Sequence, residues 1–245
     1  MSAARTANHP RRGLRRLQQA LMALGVLLLG AILIAVLVDR IFFDSSSSRA
    51  GAGTGSGVPA TQARPLAPFS GVVLAGDNNV VVRVGAKRSV VVHADSNLLR
   101  RVTTRVRSGR LVIGTTPGNL SARKPMFVTV SLPALEDLRL EGAGNISVTG
   151  IKSRNLSVAL PGSGNVDAGG IATKLDVSIS GEGTALLRQL VARDANATLS
   201  GDGSIMLTAT HSLTARISGT GTVLYGGDPA RVTRRVTGSG TISAG

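Results

Sequence analysis

The sequence predicts an all-β fold: a parallel β-helix, or solenoid, of about 19-residue coils with an N-terminal β-meander, preceded by a single transmembrane helix. Three observations lead there. The phrase Gly-x-Gly followed by a small polar residue starts at Gly142, Gly162, Gly181, Gly201, Gly219 and Gly238, in steps of 20, 19, 20, 18 and 19 residues. A period that regular marks a stack of repeated units, and units this short suit one solenoid coil better than a helix pair or a propeller blade. Around each copy, apolar residues fall at every second position, the strand pattern with one buried face. Finally, no helical period is sustained between Gly142 and Gly245.

Taken in order, the chain opens with a basic tail, residues 1–16, holding Arg5, Arg11, Arg12, Arg15 and Arg16. From Leu17 to Val38 there are 22 residues without a charge. As a helix these span about 33 Å, enough for a bilayer core of roughly 30 Å. A cleaved signal peptide is the rival reading, but its apolar stretch is usually shorter and ends at a small-x-small site. Here Asp39-Arg40-Ile41-Phe42-Phe43 follows instead, which favours an uncleaved anchor. The arginine excess before the helix keeps that side cytoplasmic. The expectation is a single-pass protein of the cytoplasmic membrane with its C-terminal domain periplasmic or extracellular.

Residues 39–66 read as a linker, dominated by Ser, Gly, Ala, Thr and Pro. The folded domain is expected over 67–245. Val72–Leu74, Val80–Val84 and Val90–His93 are short β-rich runs separated by Gly76-Asp77-Asn78-Asn79 and by Gly85-Ala86-Lys87-Arg88, and turns that short imply an antiparallel meander. Asp95 offers an N-cap for a brief helical turn over Ser96–Arg100. Val102–Arg107 and Arg110–Ile113 form a further strand pair around Ser108-Gly109, Pro117-Gly118 opens a loop, and Met126–Leu132 resumes the β pattern.

In the repeats, Leu140, Leu160, Ile179, Leu199, Ile217 and Val236 precede the first glycine by two residues. Ile146, Val166, Ala185, Ile205, Val223 and Ile242 follow the second glycine by two. These define core rows. A third row, Leu138, Val158, Val177, Ala197 and Ala215, is broken by Arg234, an arginine placed to blunt the edge of the last coil. The twelve glycines (Gly142, Gly144, Gly162, Gly164, Gly181, Gly183, Gly201, Gly203, Gly219, Gly221, Gly238 and Gly240) read as bends needing positive φ or close approach to the next coil. After them, Asn145, Asn165, Thr184, Ser204, Thr222 and Thr241 would stack as a polar ladder along the axis.

The stretch Val90-Val-Val-His-Ala-Asp-Ser-Asn-Leu-Leu99, then Gly109–Ile113, Lys124–Pro133 and Leu135–Gly144, resembles in this order the putative auto-transporter adhesin, head GIN domain family of bacterial envelope proteins. The likeness covers about residues 67–245. It implies a β-solenoid in the bacterial envelope and supplies no catalytic residue. This chain departs from the many members that look secreted or lipid-anchored, because it keeps an apolar N-terminal run.

Chemistry is sparse. There is no cysteine, so disulfides and thiolate metal sites are excluded. No dinucleotide or phosphate-loop glycine motif occurs, so no cofactor is expected. His9, His93 and His211 have no second histidine near in sequence and read as surface or structural, not metal-binding. Glu182 and Asp202 hold the same middle position of consecutive Gly-x-Gly copies. In register they would stack about 5 Å apart, the carboxyl spacing of retaining glycosidases, or they are two solvated turn residues. The formal net charge is +15, yet aromatics are 2% of residues. That favours an anionic polymer, lipid headgroups or a merely solvated surface over nucleic acid. The reading taken forward is a membrane-anchored interaction module for an envelope polysaccharide or protein, without catalysis. A polysaccharide-acting enzyme and a structural or regulatory envelope protein are the alternatives; with one Tyr and no Trp, aromatic sugar platforms are missing.

Overall fold

A computed structural model describes residues 53–245. The run 17–38 read as a membrane helix lies outside them, and no helix among the described residues is long and apolar enough to cross a membrane. The described chain is all β, a β-solenoid of about five turns. Its strands are β1 (Pro59–Ala63), β2 (Gly71–Leu74), β3 (Asn79–Val84), β4 (Ser89–Asp95), β5 (Val102–Arg107), β6 (Arg110–Thr115), β7 (Phe127–Leu132) and β8 (Asp137–Leu140). Then come four long strands that bend once, β9 (Asn145–Leu160), β10 (Asn165–Ile179), β11 (Thr184–Leu199) and β12 (Ser204–Ile217). The last are β13 (Thr222–Gly226), β14 (Arg231–Val236) and β15 (Thr241–Ala244).

Each Gly-x-Gly is a corner between two sheets. Before the corner run β6, β2, β8 and the second halves of β9 to β12, then β14; after it run β7, β3, the first halves of β9 to β12, then β13 and β15, all parallel. The core rows expected from the sequence lie in register: Val80, Ile146, Val166, Ala185, Ile205, Val223 and Ile242 are successive partners. Nearly all of these side chains are fully buried. A parallel stack can bury such a narrow interior because each aliphatic side chain meets its counterpart one strand spacing, about 4.8 Å, away.

The N-terminal end departs from a meander. β2 and β3 do not form a hairpin; they belong to different sheets and meet at the corner Gly76-Asp77-Asn78. β3 and β4 do not pair either, because β7 lies between them, parallel to β3 and antiparallel to β4. The turn Gly85–Arg88 is long enough to step over one strand, roughly 10 Å. The coil β6/β7 thus stands outside the coil β2/β3, although it comes later in the chain. Only β5–β6 is the predicted hairpin, with Ser108 and Gly109 at φ of 48° and 73°, the left-handed pair of a two-residue turn. The expected linker contains β1, which adds antiparallel to β4 and extends the fold forward to residue 53. At the other end Arg234 takes the core-row position beside Ala215, lays its guanidinium over the Tyr225 ring at 5.1 Å, and donates to the Tyr225 hydroxyl.

The register makes a direct forecast. Ile179 is 1% exposed, whereas its neighbour Ser180 faces solvent. Ile179→Asp should cost at least about 3 kcal/mol or prevent folding, because it buries an unpaired carboxylate. Ser180→Asp should cost under about 0.5 kcal/mol. Thermal unfolding of both variants is the check, and equal shifts would contradict the register.

Candidate functional site

The glycines owe their positions to crowding. None of the twelve repeat glycines has positive φ; the left-handed glycines lie elsewhere, as at Gly150 and Gly170 on the opposite bend. A β-carbon added at Gly201 would run into the carbonyl oxygen of Gly181, and one at Gly164 into that of Gly144. Both columns continue upward past the first expected repeat, Gly142 stacking on Gly76 and Gly144 on Asn78. Gly76-Asp77-Asn78 is therefore the head of the corner column, with asparagine replacing the second glycine. The amide ladder begins there too: Asn145 Nδ2 donates to Asn79 Oδ1 at 2.9 Å and Asn165 Nδ2 to Asn145 Oδ1 at 3.0 Å.

Around that head the outer coil has no Gly-x-Gly corner. The loop from Thr116 to Met126 replaces it, and a cavity of about 740 Å³ opens between this loop and the Gly76–Asn78 turn. Asn78, 2% exposed, donates from Nδ2 to Thr115 Oγ1 at 2.9 Å, while its Oδ1 has no partner among the described residues. Asp77 accepts from the Ala143 amide at 3.2 Å and so ties the head turn to the next one.

A second concavity, about 550 Å³, lies on the outer face of the sheet that contains β5, β6, β2 and β8. Its origin is Gly71. Without a side chain there, Arg110 on β6 reaches across β2 to Asp137 on β8, Nε to Oδ2 at 2.6 Å. In the next outward row the aliphatic floor is Val112 beside Val73, and Arg139 pairs with Glu141 at 2.7 Å on the far wall. Both acids of this groove are thereby matched. Arg107, directly opposite Arg110 across the hairpin, is exposed and has no ion pair among the described residues. Like charges opposed on antiparallel strands repel, which leaves the groove with one unbalanced cation.

Asp95 does not cap the short 3-10 turn at Leu99–Arg101, whose cap position is Leu98. It is fully buried and its carboxylate accepts three backbone amides: Gly57 at 2.7 Å, Arg123 at 2.9 Å and Lys124 at 3.1 Å. Asn97 adds two bonds to the same incoming segment, accepting from the Ser56 amide and donating to the Thr54 carbonyl, each at 2.8 Å. The Asp-Ser-Asn triplet thus fastens residues 54–57 to the solenoid. Burial alone would raise the Asp95 carboxyl, but the three amide bonds and the Lys124 charge together outweigh it and hold the group below its ordinary value of 3.8.

Glu182 and Asp202 are exposed on stacked corners and line neither concavity. Asp202 accepts from the Thr220 hydroxyl of the following corner. His93 stacks on Phe127, ring centres 4.3 Å apart and planes 8° from parallel, with the Thr129 hydroxyl 3.4 Å from Nε2. The structural reading of that histidine fits this packing. Among the described residues no three His, Cys, Asp or Glu side chains gather as metal ligands.

The model of a family described as putative auto-transporter adhesin, head GIN domain, matches residues 68–229. A solved structure of a putative adhesin from Bacteroides fragilis is 20% identical, covers 78% of this chain and 99% of its own, and superposes with a TM-score of 0.64. A putative adhesin from Parabacteroides distasonis is 19% identical over 79% of this chain and 99% of its own, with a TM-score of 0.53. A putative lipid binding protein from the same organism is 20% identical over 78% and 98%, with a TM-score of 0.51. At these identities the likeness is one of fold. No curated protein matches the chain.

The Asp95 clamp sets an acid response. A carboxylate whose folded value is depressed contributes stability above its unfolded value, and that contribution is lost as pH falls through the lower folded value. The melting temperature should therefore drop below about pH 4 (the ordinary carboxyl value being 3.8). Asp95→Asn should lower it already at pH 7 and give a flatter acid limb, measurable by thermal denaturation from pH 7 to pH 2.

Proposed function

The chain belongs to the putative auto-transporter adhesin, head GIN domain family, and from that membership we propose that it is a membrane-anchored, extracytoplasmic interaction module that holds an envelope polymer or protein. The anchor is the run 17–38 with the N-terminal arginines on the cytoplasmic side; residues 39–52 connect it to the solenoid. The reading assigns binding and no chemistry.

One observation carries it: the groove over Gly71, with an aliphatic floor and a cation, Arg107, that no described acid neutralises. Groups of that kind fit an anionic ligand that also presents an apolar surface. The volume lies within the range of ligand sites, and the surrounding sheet is a rigid platform. The similar structures, two putative adhesins and a putative lipid binding protein, support a protein that recognises components of the envelope. Glu182 and Asp202 remain, in this reading, a secondary surface feature of the corner column.

Two measurements test the proposal. A reporter active only outside the cytoplasm, fused after Gly245, should give signal in intact cells, and a silent fusion would rule out the topology. The full chain in neutral lipid nanodiscs should retain an anionic envelope fraction. Arg107→Gln should weaken that retention roughly tenfold without lowering the melting temperature, the loss expected for one charge-assisted hydrogen bond. Retention that is indifferent to the substitution would exclude the groove.

A further inference from the structure

The second bend of the solenoid, away from the glycine corners, is built differently from the rest of the surface. Ile171 is 56% exposed and Val191 40%, and the two are register partners on adjacent coils, so their side chains lie side by side. Lys152 is the partner of Ile171 on the coil above. Arg154 and Arg193 stand two residues further along their strands, both exposed. Lys152 and Arg154 have no ion pair among the described residues, and Arg193 meets only its neighbour Asp194 at 3.9 Å.

A pair of exposed aliphatic side chains near Lys152, Arg154 and Arg193 has no role in the core. Outward positions elsewhere on these two strands are mostly polar or charged, as at Asp167, Ser178, Asn196 and Thr198, with Leu186 the other exposed aliphatic, so the strand pattern alone does not call for Ile and Val side by side here. Apolar residues flanked by Lys and Arg are the composition that rests on an anionic bilayer, the aliphatic groups entering the headgroup layer and the cations meeting lipid phosphates. Reach agrees. Fourteen residues, 39–52, separate the apolar run from the described chain, and fully extended they span at most about 50 Å. Five strand steps, roughly 24 Å, lead from β1 to β10. A solenoid tethered this closely meets the bilayer at a high local concentration, where a weak surface contact is populated.

We propose that the Ile171–Val191 flank docks on the outer surface of the anionic membrane that carries the anchor, so that the solenoid lies along the bilayer with its Gly71 groove on a different face. This rests on the membrane-anchored reading.

The chain has no cysteine, so a single one can be introduced and labelled with an environment-sensitive nitrobenzoxadiazole dye. Full chain carrying labelled Ile171→Cys, in nanodiscs of phosphatidylcholine with phosphatidylglycerol, should show a blue shift and a several-fold rise in emission relative to phosphatidylcholine alone. The rise should fall in 1 M salt and be absent in the double variant Lys152→Glu, Arg154→Glu. The same label at Thr198→Cys, on another face, should not respond. An unchanged spectrum at position 171 in discs that co-elute with the chain would overturn docking while leaving the anchor intact. A chain that fails to co-elute with discs would instead remove the anchor. The same labelled protein mixed with phosphatidylglycerol vesicles would then decide docking by itself, and silence there would overturn it. A shift that grows with protein concentration without lipid would identify a second copy as the occupant and overturn the proposal.

Discussion

Everything in this solenoid depends on how closely one corner lies on the next. At the Gly-x-Gly turns the backbone of each coil approaches the carbonyl oxygens of the coil before it so nearly that no β-carbon fits between. That approach sets the strand spacing, and the spacing puts each core aliphatic against its counterpart. A larger residue at such a corner forces two coils apart and loosens the rows on both sheets. The coil interior is narrow for the same reason, which accounts for a core of Val, Ile, Leu and Ala with almost no aromatic residue.

The repeats were legible because this constraint writes itself twice into the sequence, as paired glycines and as alternating aliphatics. It stopped being legible at Gly76-Asp77-Asn78, where asparagine stands for the second glycine and the next corner is 66 residues away instead of about 20. A turn flanked by two β runs looks like a hairpin from sequence, and nothing local reveals that β7 will come between β3 and β4. β1 was hidden for another reason. Its residues Pro59–Ala63 are almost all exposed, so pairing rests on main-chain bonds and on Asp95, with no apolar pattern to betray it. Asp95 itself looked like a cap because short polar residues before a helical turn usually are; its partners come from segments far away in the chain. The Gly71 groove could have been suspected from Arg107 and Arg110 facing each other around Ser108-Gly109 once that hairpin was predicted. Its floor and far wall, from β2 and β8, could not.

The surface divides the labour that the core cannot. Since the interior of each coil is fixed by packing, only outward residues are free to differ, and they differ in blocks. One sheet holds the matched pairs Arg110–Asp137 and Arg139–Glu141 around an aliphatic floor. The far bend holds aliphatics among cations. The corner column holds short polar side chains and the asparagine ladder. A stack of nearly identical coils can in this way present several unlike faces to its surroundings without any change in the core.

The placement of the β6/β7 coil outside the β2/β3 coil also governs the order in which the molecule can assemble. From the second half of β9 onward every coil is laid on one already made, across a sequence gap near 20 residues. β3 has no such predecessor: its partners β7 and β9 both come later, and Asn79 meets Asn145 only across a gap of 66. Closing the longer gap costs about 1 kcal/mol more in chain entropy than closing the shorter one. Growth from the C-terminal coils toward this end is then the easier direction, against the order in which the chain emerges during synthesis. β2 and β3, made early, wait unpaired on both sides for the later strands that will enclose them.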